Sequence, residues 1–117
     1  MKKCLFTVSL LFAATANAAE EVDSRLGAFH TVASLVEMCA SPNPASLRYC
    51  YGYVTAVADT INTTRVRAGK PPCIPGGVTL HQVIESVIPY LQHQEKGRDE
   101  AAAMAVAVAI GDAWNCR

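Results

Sequence analysis

Residues 48–68 read RYCYGYVTAVADTINTTRVRA, and the spacing of their apolar side chains decides the fold class. Wound as an α-helix, the stretch sets Cys50, Tyr53, Val54, Val57, Ala58 and Ile61 on one stripe, at steps of three and four residues. Such a stripe has to be buried against other helices. Gly52 and Ala56 fall on a neighbouring face with almost no side chain, where another backbone can come close at little steric cost. Gly52 weakens the helix by about 1 kcal/mol relative to alanine, so packing has to compensate. Cys50, near the start, adds a covalent tie to the expectations.

Upstream, residues 20–40 place Val22, Leu26, Phe29, Ala33, Val36 and Ala40 at alternating steps of four and three, with Glu20, Glu21 and Asp23 at the amino end. This predicts one helix over the whole segment, its acidic residues matching the helix dipole. It stops at Ser41-Pro42-Asn43-Pro44, where Asn43 and Pro44 offer the cap and first residue of the central helix. A turn this short makes the two helices antiparallel neighbours.

Downstream, Gly69 supplies a left-handed stop, with Arg65 and Arg67 at the negative end of the central helix. Residues 70–77, KPPCIPGG, are too rich in proline and glycine for helix or strand and predict a rigid loop. Thr79 and Gln82 form a capping box for a third helix, with Leu80, Val83, Ile84, Val87 and Leu91 as its buried stripe. Pro89 falls inside that stripe and either kinks the helix or ends it early. After a turn at Gly97, Asp99 is the expected cap of a last helix carrying Ala103, Val106, Ala107, Ile110 and Trp114 on one face and Met104 and Val108 on a second. A helix apolar on both sides is predicted to sit centrally in the bundle.

The first residues stand apart from this domain. Lys2 and Lys3 precede the apolar run CLFTVSLLFAATA, and Ala16-Asn17-Ala18 has the A-x-A pattern of a secretory cleavage site. Cleavage is expected after Ala18, leaving residues 19–117 as one exported domain. The run is too short to span a membrane, and later apolar stretches are interrupted by polar residues. Loss of the two lysines turns the balance of ten basic and ten acidic residues into a net charge of about minus two. That charge favours neither nucleic acid nor an anionic membrane as a partner.

Cys39, Cys50, Cys73 and Cys116 remain in the exported part, and an even number of cysteines there predicts two disulfides. Spacing leaves three connectivities open; the helix ends favour one. Cys39 closes the first helix and Cys50 opens the second, while Cys73 precedes the third and Cys116 ends the fourth, so the expected pairs are Cys39 with Cys50 and Cys73 with Cys116. Zinc is disfavoured by the absence of short paired spacings and by an oxidising compartment.

No constellation predicts catalysis, a metal or a cofactor. His30, His81 and His93 fall on separate elements and read as ordinary solvated or half-buried histidines. No cysteine stays free once both bonds form, and nothing resembles a nucleophile elbow. Asp59, one turn beyond Thr55, reads first as a surface charge or an arginine partner. Tyr53 belongs to the core stripe, which leaves Tyr49 and Tyr51 as candidates for a partner surface. Arg65, Arg67 and Lys70 make a basic corner beside the rigid loop. Asn62-Thr63-Thr64 matches the glycosylation sequon, and it is set aside because the short signal segment looks bacterial.

Two stretches together resemble the Rap/Tai family of periplasmic immunity proteins, which protect bacteria against type VI secretion amidase effectors. The first is Cys50-Tyr51-Gly52-Tyr53-Val54-Thr55-Ala56-Val57-Ala58-Asp59, similar to that family's Cys-x-Gly-Tyr helix with an aspartate at its far end. The second is Cys73-Ile74-Pro75-Gly76-Gly77-Val78-Thr79-Leu80-His81-Gln82, followed by Tyr90-Leu91, an alanine-rich last helix and Cys116. Ala56, where the family often has glycine, and Pro89 depart from the pattern without disturbing the cysteine frame. The resemblance implies an all-α four-helix bundle that binds a peptidoglycan-cleaving effector and blocks its substrate cleft, often as a homodimer. Expected contacts are Tyr51, Arg65, Arg67 and Lys70, with no cofactor and no membrane insertion. The rival expectation is a small periplasmic acid-stress chaperone, which would expose apolar surface when its carboxylates are protonated.

Overall fold

The computed structural model describes residues 21–116; the proposed signal segment lies outside the described residues. Among the described residues, four helices form in the predicted order: α1 (Val32–Ala40), α2 (Pro44–Arg67), α3 (Leu80–Gln92) and α4 (Ala102–Ala113). Among the described residues, β structure is confined to two isolated bridges. Both expected disulfides are present, Cys39 with Cys50 and Cys73 with Cys116, at Cα separations of 5.1 and 5.4 Å.

The first helix is much shorter than its apolar spacing predicts. Asp23 accepts a hydrogen bond from the Arg25 N–H at 2.8 Å, and its carbonyl accepts one from the Gly27 N–H at 2.8 Å. Gly27 is left-handed, with φ 61°, and an antiparallel bridge joins Asp23 to Ala28. A local turn therefore takes the backbone that a helix would have used. The helix starts instead at a capping box, in which the Thr31 hydroxyl accepts from Ser34 N–H and the Ser34 hydroxyl accepts from Thr31 N–H. Val22 and Phe29 consequently stay exposed rather than joining a buried stripe.

The starts of α1 and α4 are laced together. The Val32 and Ala33 N–H groups donate to Glu100 and Arg98 carbonyls, and Ala102 N–H donates to the His30 carbonyl, all at 2.9 Å. These bonds satisfy first-turn donors that a helix cannot satisfy internally. Asp99 is therefore not the cap of α4; Ala101 holds that position with no side-chain cap.

The other termini follow their sequence signals. Asn43 accepts from Ala45 N–H at 2.9 Å and Pro44 opens α2, while Gly69 turns left-handed at φ 72° just past its end. Thr79 and Gln82 form the capping box of α3. That helix continues through Pro89 to Gln92, with Pro89 on an exposed side. The missing N–H costs one helical hydrogen bond to the Glu85 carbonyl. Pro89→Ala is expected to raise the unfolding free energy by about 1 to 2 kcal/mol, less than the roughly 3 kcal/mol of an ideal helix interior because proline also restricts the unfolded chain. A urea midpoint below that of the wild type would contradict this.

The core joins Val32 and Leu35 of α1, Val54 and Ala58 of α2, Val83, Val87 and Leu91 of α3, and Val106 and Ile110 of α4, with Ile74 added from the loop. The helix α4 buries Ala102, Val106, Ala109 and Ile110 but leaves Met104 65% and Val108 42% exposed. It packs against α1, α2 and α3, the central position that its two apolar faces predict. Met104 and Val108 of its second face nevertheless remain exposed, beside the seam with α2.

Candidate binding surface

The 70–78 loop is pinned at its middle and displayed at its ends. Cys73 and Ile74 are buried, whereas Pro71, Pro72, Pro75, Gly76 and Gly77 are exposed. Three devices hold it. The Cys73–Cys116 bond ties it to the end of the chain beyond α4. The Asn62 amide grips Ile74 at both backbone groups, accepting from its N–H at 2.9 Å and donating to its carbonyl at 3.1 Å. Arg65 donates through Nε to the Pro71 carbonyl at 3.0 Å and through Nη1 to the Cys116 carbonyl at 3.2 Å. The two side-chain clamps replace hydrogen bonds that helix or strand would otherwise supply to the backbone.

Two surfaces flank α2. Between α2 and the loop lies a cleft of about 400 Å³, walled by Thr55, Asp59, Pro75, Val78 and Leu80 among others. Between α2 and α4 runs an apolar groove, formed by Tyr53, Val57, Ile61, Ala103 and Ala107 and continuing to Met104 and Val108, with no charged lining residue among the described residues.

The four expected contact residues do not form one patch. Tyr51 is half-buried and packs against the core. It lies fourteen residues before Arg65 on the same helix, roughly 21 Å along the axis. Arg65 is half-buried with its guanidinium committed to the two carbonyls, while Arg67 and Lys70 are exposed beside the loop. Asn62 is the residue sequence reasoning missed: read as a sequon, its position one helical face from the loop gave no sign of the clamp.

The histidines occupy separate places. His30 is buried, with Nε2 2.7 Å from the Tyr49 hydroxyl and Nδ1 3.4 Å from the Ser34 hydroxyl, and it meets the rings of Tyr49 and Tyr53 edge-on. It joins the start of α1 to α2, so Tyr49 is engaged within the fold. His81 pairs with Glu85 at 3.0 Å on the exposed face of α3, and His93 Nδ1 lies 2.6 Å from the Pro89 carbonyl. Among the described residues, no three of the metal-ligating type come together.

Burial pushes the Tyr53 phenol above its ordinary 10.0, while the Ala103 N–H at the uncapped start of α4 pulls it the other way. Because the folded state holds the phenol proton more tightly than the unfolded chain does, this contribution is full below pH 10.0 and is lost as the pH rises through the folded value. Tyr53→Phe is expected to lose less stability than the wild type between neutral and strongly alkaline pH. Parallel alkaline limbs in denaturant melts would refute the assignment.

Fold and surface define a small, disulfide-stapled helical bundle that displays a pinned loop and an uncharged groove. Residues 31–116 match the family model described as Rap1a immunity proteins, and the chain belongs to that family. The matched span runs from the cap of α1 to the last disulfide cysteine, so it covers the whole bundle. No curated protein and no solved structure matches the chain. Family membership makes it an immunity protein, with a cognate secreted effector as its partner.

Proposed function

We propose that the protein is exported to the periplasm, where it binds a peptidoglycan-cleaving amidase delivered by type VI secretion and blocks its substrate cleft. The observation that carries the reading is the pinned loop: exposed at Pro71, Pro72, Pro75, Gly76 and Gly77 yet fastened at Cys73, Ile74 and Pro71. A protrusion already ordered before binding loses little conformational entropy on docking, which favours a stoichiometric inhibitor. Arg67 and Lys70 touch the partner directly in this reading. Arg65 acts from behind the loop, and Tyr51 contributes only its exposed edge.

The α2/α4 groove suits a second copy, since an uncharged face can be covered without stranding a charge. Light scattering on the purified protein tests that dimer. An acid-stress chaperone would have to open a bundle closed by two disulfides, and family membership favours immunity over it.

The deciding experiment captures partners with the oxidised protein at neutral pH and assays any hydrolase recovered against peptidoglycan. Loss of amidase activity at about one-to-one stoichiometry supports the proposal. A hydrolase that binds and stays fully active, or binding that appears only after acid exposure, overturns it.

A further inference from the structure

The cleft between α2 and the loop selects one kind of guest. Among the described residues, Asp59 is its only charged lining residue. Its side chain is exposed, and it makes no hydrogen bond or ion pair among the described residues. The neighbouring polar groups are already committed. The Thr55 hydroxyl donates to the Tyr51 carbonyl at 2.7 Å, and the Asn62 amide spends both its ends on Ile74. Arg65 is spent on the Pro71 and Cys116 carbonyls and His81 on Glu85, and Arg67 and Lys70 make no ion pair with Asp59 among the described residues.

Opposite the carboxylate the wall is apolar, built from Ile74, Pro75, Val78, Val83 and the 44% exposed Leu80. A guest that satisfies both sides needs an aliphatic stem ending in a cation. Lysine and arginine side chains have that form, laying methylenes on apolar surface with the charged head outside. An anionic guest would meet Asp59 with like charge, and a wholly apolar one would desolvate it without a partner. Thr55 keeps an acceptor lone pair one turn before Asp59, so a guanidinium or ammonium finds a second oxygen beside the carboxylate.

We infer that this cleft receives a lysine or arginine side chain of the effector, with Asp59 as the pairing carboxylate. The inference rests on the immunity reading and names the chemistry of the partner. The cation belongs to a protein because a single exposed ion pair is worth little by itself, and a free amine would not be retained. Carried on a larger docked surface that excludes water, the same pair gains strength and sets the register of the complex.

Two measurements test it on oxidised protein purified after expression of the full chain. The first follows backbone amide resonances while the blocked peptides Gly-Arg-Gly and Gly-Lys-Gly are added, with Gly-norleucine-Gly as the uncharged control. Shifts confined to Thr55, Asp59 and residues 75–78, present for the cationic peptides and absent in Asp59→Asn, are expected. Shifts that are scattered, that norleucine reproduces or that persist in Asp59→Asn overturn the cleft. The second compares binding of a captured effector to the wild type, Asp59→Asn and Asp59→Lys, each with an unchanged melting temperature. Asp59→Asn is expected to weaken binding about tenfold, and Asp59→Lys more. Equal affinity of all three overturns the effector as the source of the cation, whatever the peptides do. Where no effector is captured at all, the immunity reading fails, and the peptide titration still decides whether the cleft selects cations.

Discussion

Replacing Cys73 and Cys116 together by alanine is expected to lower the free energy of unfolding by about 4 kcal/mol, from loop-closure entropy over a sequence separation of 43 residues. The Cys39–Cys50 bond closes a separation of 11 residues and contributes about 3 kcal/mol by the same relation. Against a total stability of roughly 5 to 15 kcal/mol for a domain, either loss is severe. The two bonds differ in consequence. Cys39–Cys50 staples a helical hairpin that a short turn already holds, whereas Cys73–Cys116 anchors the loop to the chain end that also receives the Arg65 guanidinium. Guanidinium denaturation of the double alanine variant beside the oxidised wild type measures the effect. A loss under about 1 kcal/mol would show that the loop anchor is redundant.

Asn62→Ala carries the second large effect. It strips a buried residue, Ile74, of the side-chain partner at both its N–H and its carbonyl. Each unsatisfied buried group costs about 1 to 3 kcal/mol, so a loss of about 2 to 4 kcal/mol is expected, allowing for partial access of water. Asn62→Asp separates the two halves of the clamp: it keeps an acceptor for the Ile74 N–H but sets a carboxylate against the Ile74 carbonyl. It should rescue little. Hydrogen exchange at the Ile74 amide gives the direct readout, slow in the wild type and fast in Asn62→Ala. Protection that survives the substitution would mean that the disulfide and prolines position the loop without Asn62. In the proposed complex the same variant should weaken inhibition although the Asn62 amide is spent on Ile74, because a loose loop must be ordered on binding.

Features set by a few neighbouring residues are legible in the chain itself. The Asn43-Pro44 start of α2, the Thr79/Gln82 capping box and the Gly69 stop each depend on residues within one turn, and each occurs as its residues predict. The disulfide pairing follows too, since cysteines at helix ends meet once the helices are antiparallel neighbours. The periodicity of residues 20–40 misleads because it measures only which side chains could share a face. It is silent on the Asp23 turn, left-handed Gly27 and the bonds that His30, Val32 and Ala33 share with residues 98–102. Asp99 fails as a cap for the same reason: a backbone carbonyl far away in sequence takes the Ala102 N–H.

The surface is less legible than the fold. Composition locates a basic corner, but whether an arginine reaches outward or holds its own loop depends on carbonyls that only the folded chain brings near. Arg65 lies six residues from Pro71 and 51 from Cys116 and binds both. Asn62 and Ile74 are twelve apart, and Asp59 acquires meaning only when the loop supplies an apolar wall opposite it. The start and stop of α2 and the capping box of α3 are thus determined by the sequence alone, through interactions local to each element. Which polar groups are spent inside the molecule, and which remain for a partner, is decided by tertiary structure, because the bonds that pin the loop join residues that local propensity cannot bring together.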